Sequence, residues 1–316
     1  MTESAIQSSP SGKTLGAPAP WVARGSIEEV PPWVASLVSS MAVEPDTQAD
    51  GIQVTQYAGP HAGLRTVVIP GAIDLDDQSF MKCAQQGYVA ILSGIDPSTI
   101  ARIWNFIPGI NDNAGVDRDR YMMFNAGRYR AFKDCIGESE RFPVASGVGH
   151  AGGDLVIHLL HGASHVNGVG NPRQCPPHKY SDRYGELPPA FSRAGFALIG
   201  DAPWFLLSGT ASVVGEDSSH LGDAVAQLAE TIDNIKHVLD EAQASTTQQL
   251  CLGKATDWLV YSTFPGNDEG IRTALCETFD ASPENIIVRR QPLCREELLV
   301  EIECASRVED GEVVWS

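Results

Sequence analysis

A chain of 316 residues with 43% hydrophobic and 20% charged residues has the balance of a globular protein and the length for one large or two ordinary domains. Its formal net charge of −18 argues against a nucleic-acid partner, whose phosphates need a basic footprint. No apolar run reaches the roughly 18 residues of a membrane span.

In chain order, residues 1–20 are rich in Ser, Pro, Gly and Ala and are expected to form a flexible arm. Apolar stretches broken by prolines follow, from Trp21 to Ile52, without an assignable element. Gln78–Gln86 reads as the end of a helix and Tyr88–Leu92 as a strand. Tyr121–Phe132 reads as a helix interrupted in register by Gly127. Val144–Val148 and Asp154–His161 read as a strand pair. Trp204–Leu207 is a short apolar strand, and Asp217–Ser219 offers N-cap chemistry for the helix after it. There Leu221, Val225, Leu228, Ile232, Ile235 and Leu239 recur at spacings of 4, 3, 4, 3 and 4, one apolar stripe on a helix of about six turns. Trp258–Thr263 is a strand ended by Pro265–Gly266, and Gly270–Phe279 is a helix with Ile271, Leu275 and Phe279 on one face. Ile286–Arg290 and Leu298–Arg307 are strands.

The order β–α–β–α–β–β predicts an α+β fold with helices on one face of a mixed sheet. The middle of the chain repeats that order, which implies a duplicated unit. The expected division is residues 21–193 for a diverged first domain and 194–316 for a second.

The seven cysteines are odd in number and include no CxxC pair. This argues against a disulfide framework or a zinc ribbon and for a reducing compartment. With no basic segment leading into an apolar one at the N-terminus, the expectation is a cytoplasmic protein.

The residues also carry a family resemblance. Residues 208–242, SGTASVVGEDSSHLGDAVAQLAETIDNIKHVLDEA, are similar to the central helix region of the YjgF/RidA family, and LLVEIECAS at 298–306 resembles its last strand. Four upstream segments, at 100–112, 120–132, 171–185 and 188–196, resemble signatures of the chorismatases, which place a diverged YjgF-like unit ahead of a clear one. The resemblance spans residues 60–308. It implies two YjgF/RidA-like (chorismate-mutase-like) units and a cofactor-free, metal-free enzyme. Such an enzyme cleaves chorismate, as a monomer or small homo-oligomer with no nucleic-acid or membrane partner.

That chemistry sets requirements. The enolpyruvyl ether of chorismate is acid-labile: protonating its terminal methylene leaves an oxocarbenium carbon, after which a C–O bond breaks. An acid is needed there, along with cations for two carboxylates. The resemblance places Glu301 at the family's functional glutamate, and a glutamate in an apolar strand has the raised pKa that a general acid needs. Strand alternation sets Leu299, Glu301 and Glu303 on one face. Arg128, Arg130 and Arg193 lie in family-like segments and suit bidentate carboxylate binding, with Arg173 a weaker candidate. Tyr121, Tyr180 and Tyr184 are candidate donors to the substrate.

In members that form 3-hydroxybenzoate, the family pattern has a Gly in the strand-end motif and a Cys seven residues before the glutamate. Gly209 and Cys294 fit that pattern, which implies 3-hydroxybenzoate plus pyruvate as products. Their ordinary readings are a turn glycine and a small buried hydrophobe. The resemblance also leads one to expect a basic residue near Trp258–Thr263. None is there, and Arg272 from the following helix is the expected substitute.

Three other readings compete. One is hydrolysis of chorismate to a dihydroxycyclohexadiene carboxylate. A second is a YjgF-type enamine/imine deaminase. The third is a non-enzymatic ligand-binding module. A metal site from His158, His161 and His165, with His150 and His178 nearby, is disfavoured because residues three apart on a strand point to opposite faces and no HExxH is present.

Overall fold

In the computed structural model, residues 29–38, 42–47, 51–137, 141–244, 246, 250 and 252–308 are described. The arm expected over residues 1–20 lies outside them. Helix α1 is Pro32–Leu37. The first sheet is built from β1 (Ala42–Thr47), β2 (Gln53–Ala58), β3 (Gly63–Ile69), β4 (Arg102–Pro108), β5 (Val144–His150) and β6 (Leu155–His161), with helices α2 (Asp77–Leu92) and α3 (Arg120–Ile136). The second is built from β7 (Ser164–Val169), β8 (Ala194–Ile199), β9 (Ala202–Ala211), β12 (Asp257–Ser262), β13 (Ile286–Arg290) and β14 (Val300–Arg307), with helices α4 (Ala224–Gln243) and α5 (Asp268–Phe279). A small hairpin of β10 (Val213–Val214) and β11 (Asp217–Ser218) stands apart.

The two sheets have one topology. The strand order is β1-β2-β3-β6-β4-β5 in the first and, read from its β7 edge, β7-β8-β9-β14-β12-β13 in the second. In each, the strands that flank the second helix are parallel, β4 with β5 and β12 with β13, and the last strand runs antiparallel between the older ones. The duplication expected from sequence is therefore present, and the fold is the expected α+β. Ser164–Val169 pairs with β8, so strand pairing with the second sheet begins ahead of residue 194.

Each sheet has a helix face and a bare face, as period-two burial requires. On β14, Val300, Ile302 and Cys304 pack under α4 and α5, while Ala305 joins residues of both sheets in a shared core. That core includes Leu64, Trp104, Val148 and Val156 from the first unit and Trp204, Leu206, Leu259 and Tyr261 from the second. The layers thus run helix, sheet, sheet, helix. Trp33 of α1 is wedged between the units, stacked 5.0 Å from Trp204 and 6.1 Å from Trp104.

Several local expectations need correction. Tyr88–Leu92 is not a strand but the last turns of α2. Tyr88 is buried against Phe124 and Phe132, Ile91 and Leu92 are buried beside it while Val89 faces outward, and tertiary packing outweighs strand propensity there. Gly127 does not interrupt α3, which runs through it unbroken. A Cβ there would sit 2.4 Å from the Met81 carbonyl of α2, so the glycine lets two helices touch. Helix α4 starts at Ala224 under an Asp223 cap, later than expected. Leu221 and Val225 are therefore 66% and 72% exposed and lie off the buried stripe, which Leu228, Ile232, Ile235 and Val238 form. Finally, β5 and β6 are not paired with each other, because β4 lies between them.

Candidate active site between the two sheets

Edge strand β5 of the first sheet crosses β9 and β14 of the second, and a cavity of about 350 Å³ opens at that crossing. This is a size suited to a small-molecule ligand. Helix α3 closes it from beyond the edge. Tyr121 and Arg128 lie two turns apart on one face of that helix, and both line the cavity. Asn125 sits between them and accepts from Arg128 at 2.7 Å. Arg130 is two residues further round, so it points toward α2, donates to the Met81 sulfur and lines a separate small cavity. It does not join the expected substrate-binding set.

Glu301 enters from β14 and is 4% exposed. The register of β14 against β9 shifts between Ile302 and Cys304, which leaves Ser208 and Gly209 together opposite Glu303. That bulge brings Gly209 against the neighbouring carboxyl: a Cβ on Gly209 would lie 1.9 Å from Glu301 Oε1. The glycine makes the room in which the acid sits. Burial pushes the Glu301 carboxyl up to about 8, and the nearby Glu303 carboxylate adds to this against the opposing pull of Arg102 and Arg193. At neutral pH it is a carboxylic acid with a proton to give.

The other expected residues converge. Arg193, just ahead of β8, donates to the Tyr180 hydroxyl at 2.7 Å and the Cys175 carbonyl at 3.2 Å. Tyr180 and Tyr184 face each other with ring centroids 5.3 Å apart on the cavity wall. Cys294 lines the cavity too, and burial pushes its thiol up to about 12, so it is present as a thiol and not a thiolate nucleophile. Burial likewise raises Tyr121, which remains a phenol and a donor.

Three expected or fallback cations do not reach the cavity. Arg173 is in ion pairs with Glu230 at 2.8 Å and with Asp233 on α4. Arg272 donates to the backbone carbonyls of Pro283 and Ile286. Arg130 has been placed above. The histidines form no metal cluster: among the described residues, no group of three or more His, Cys, Asp or Glu is placed to hold a metal ion. His158 is buried between the Thr66 hydroxyl at 2.7 Å and Glu29 at 3.0 Å.

Sequence reasoning missed four lining residues of consequence. Arg295 lies 3.9 Å over the Tyr184 ring and donates to the Glu216 carbonyl at 2.8 Å and to Ser218 at 3.1 Å. Its only signal in the sequence was its place next to Cys294, between two expected strands. Ser146 on β5, Phe191, and Asp119 at the cap of α3 also line the cavity. Among the described residues, Arg128, Arg193 and Arg295 are in ion-pair contact with no carboxylate. The wall therefore combines the neutral Glu301 acid with three cations that make no ion-pair contact among the described residues, while the carboxylates of Asp119, Glu296 and Glu297 lie on the same lining. The three guanidinium groups are matched to an anionic substrate that needs a proton.

Residues 62–161 match the family described as chorismatase FkbO/Hyg5-like, N-terminal. The chain is 35% identical over 217 residues to a 3-hydroxybenzoate synthase of Streptomyces hygroscopicus, covering 65% of this chain and 63% of that protein. It is 29% identical over 224 residues to a chorismatase of Streptomyces rapamycinicus, covering 69% of this chain and 66% of that protein. The chain thus spans just under two thirds of the length of these curated relatives. It superposes on a chorismatase crystal structure with a TM-score of 0.71 at 22% identity, over 84% of this chain and 79% of the other, a likeness of fold.

Proposed function

We propose that this chain, whose residues 62–161 match the chorismatase FkbO/Hyg5-like N-terminal family, cleaves chorismate to 3-hydroxybenzoate and pyruvate. The observation that carries the proposal is the buried Glu301 carboxyl, neutral below about pH 8, in a cavity with Arg128, Arg193 and Arg295. Similarity to the 3-hydroxybenzoate synthase supports the choice of product.

The residues take these roles. The guanidinium groups hold the two carboxylates of chorismate, which sets the enolpyruvyl methylene against Glu301. Tyr180 and Tyr184 orient the ring by hydrogen bonding. Glu301 donates its proton to the methylene carbon, and positive charge develops at the ether carbon. In the internal course the ring hydroxyl then takes part in place of water, and loss of the side chain and a ring proton gives the aromatic acid. The atoms of chorismate equal those of 3-hydroxybenzoate plus pyruvate, so no water is consumed. The diol course consumes one. Cys294 and Gly209 shape the space in which that choice is made.

Incubating the purified protein with chorismate, following pyruvate and separating the aromatic products tests the reading. Pyruvate equimolar with 3-hydroxybenzoate is the expected result. Pyruvate with a dihydroxycyclohexadiene carboxylate would keep the acid role of Glu301 and overturn the product. Absence of pyruvate would overturn the activity.

A further inference from the structure

Next to Glu301 the fold holds a second buried carboxylate that the proposed reaction does not use. Glu303 lies two residues further along β14, on the same face, and is 2% exposed. Its Oε1 accepts from the Trp104 indole at 2.8 Å. Its Oε2 pairs with Arg102 at 2.9 Å and accepts from the Ser146 hydroxyl. Arg102 also donates to the Leu207 carbonyl at 2.6 Å and to Ser146 Oγ at 2.9 Å. Ser146 Oγ in turn accepts from the backbone N–H of Gly209 at 3.0 Å. One carboxylate thus ties together β4, β5, β9 and β14, and it fixes Gly209, the residue that makes room for the acid.

The pair of carboxyls is unequal. Glu303 has an indole, a hydroxyl and a guanidinium as donors, whereas burial and charge alone act on Glu301. Two carboxyls on one buried strand face cannot both ionise cheaply, and the donors settle which keeps the proton. We propose that Glu303, held by Arg102, Trp104 and Ser146, is a positioning residue that keeps Glu301 as the neutral, cavity-facing acid. This rests on the reading of Glu301 as the proton donor. The other titratable or charged groups coupled to Glu301 are Arg102 on β4, Arg193 ahead of β8, Tyr121 on α3, Tyr261 on β12 and Cys294 ahead of β14. Arg128, Arg183 and Arg295 and the carboxylates of Asp119, Glu296 and Glu297 line the same cavity, but Glu303 is the carboxylate whose charge acts on Glu301.

The test is an infrared titration of the Glu301 carboxyl, assigned by difference against Glu301→Gln, in the otherwise wild-type chain and in Glu303→Gln. It is run alongside the pH profile of pyruvate release from chorismate. In Glu303→Gln the Glu301 titration and the basic limb of the profile move down together by roughly one pH unit or more. Should that variant fail to fold because Arg102 is left unpaired, Arg102→Met/Glu303→Gln removes both buried charges and shows a smaller downward shift. A Glu301 titration unchanged in whichever of these folds, with activity lowered equally at all pH, would reduce the network to scaffolding and overturn the proposal. The infrared measurement needs no turnover. A wild-type chain that releases no pyruvate therefore sinks the function proposed above without deciding this point.

Discussion

Glu301 gives the site its pH dependence. In the proposed reaction its acid form gives the proton, so pyruvate release is expected to be steady below about pH 8 and to fall as pH rises through that value. Glu301→Gln keeps the shape and removes the proton, with an expected loss of about 10²–10⁴ in kcat and little change in KM. The sign for stability follows from proton counting. Between the unfolded carboxyl value of 4.5 and the folded value of about 8, the native state holds more protons than the unfolded chain. Stability from this group is thus complete below the unfolded value and is lost as pH climbs through the folded one. Thermal melts at pH 5 and pH 9 should show Glu301→Gln gaining on the wild type only at the higher pH. Gly209→Ala places a methyl where the Glu301 carboxyl now lies, and kcat/KM should drop about 10²-fold with the melting temperature little changed. Cys294→Ala enlarges the cavity without removing a thiolate, and the products should shift toward the non-aromatic diol on chromatography. An unchanged product ratio would remove Cys294 from the choice between water and ring hydroxyl.

The helices and strands that carry the site depend on close contacts the sequence shows only as interruptions. Helices α2 and α3 touch at Gly127, with the Ala84 Cβ at 2.9 Å and the Met81 carbonyl at 2.4 Å from a built Cβ. Gly127→Ala gains about 1 kcal/mol of helix propensity but must push the helices apart, a cost of about 1–3 kcal/mol. Urea unfolding should report net destabilisation, and Arg128, one residue on, should carry the displacement into KM. The α4 stripe was legible because 3.6-residue spacing reports burial directly. Its first turn was misjudged because Leu221 and Val225 fit the period while nothing packs on them. Tyr88–Leu92 misled for the converse reason: a helix buried on several sides looks like a strand when read alone.

Over the whole molecule, the cavity that holds Glu301 exists only because two units meet. The shared core draws on both sheets, and α1 fills part of the seam with Trp33 between Trp104 and Trp204. Trp33→Ala should cost about 3–5 kcal/mol, and calorimetry should show a lower melting temperature. The net charge of −18 opposes an anionic substrate at long range. The fold answers locally by bringing Arg128 from α3, Arg193 from the approach to β8 and Arg295 from the loop before β14 to one cavity. Among the described residues, no helix is long and apolar enough to cross a membrane.

The sequence by itself determined the α+β class, the repeated order of elements, most strand and helix positions in the second unit, and eight of the residues that line the cavity. Those features are local: a period, a cap, a motif within one strand. The tertiary structure alone decided that Arg130 turns away while Arg295 turns in, that β4 separates β5 from β6, and that Glu303 is tied to Arg102, Trp104 and Ser146. Each of these depends on which strand lies beside which across nearly 200 residues of chain, as between Trp104 and Glu303, 199 positions apart. A spacing within one element carries no information about such pairings, and the ionisation of Glu301 is set by them.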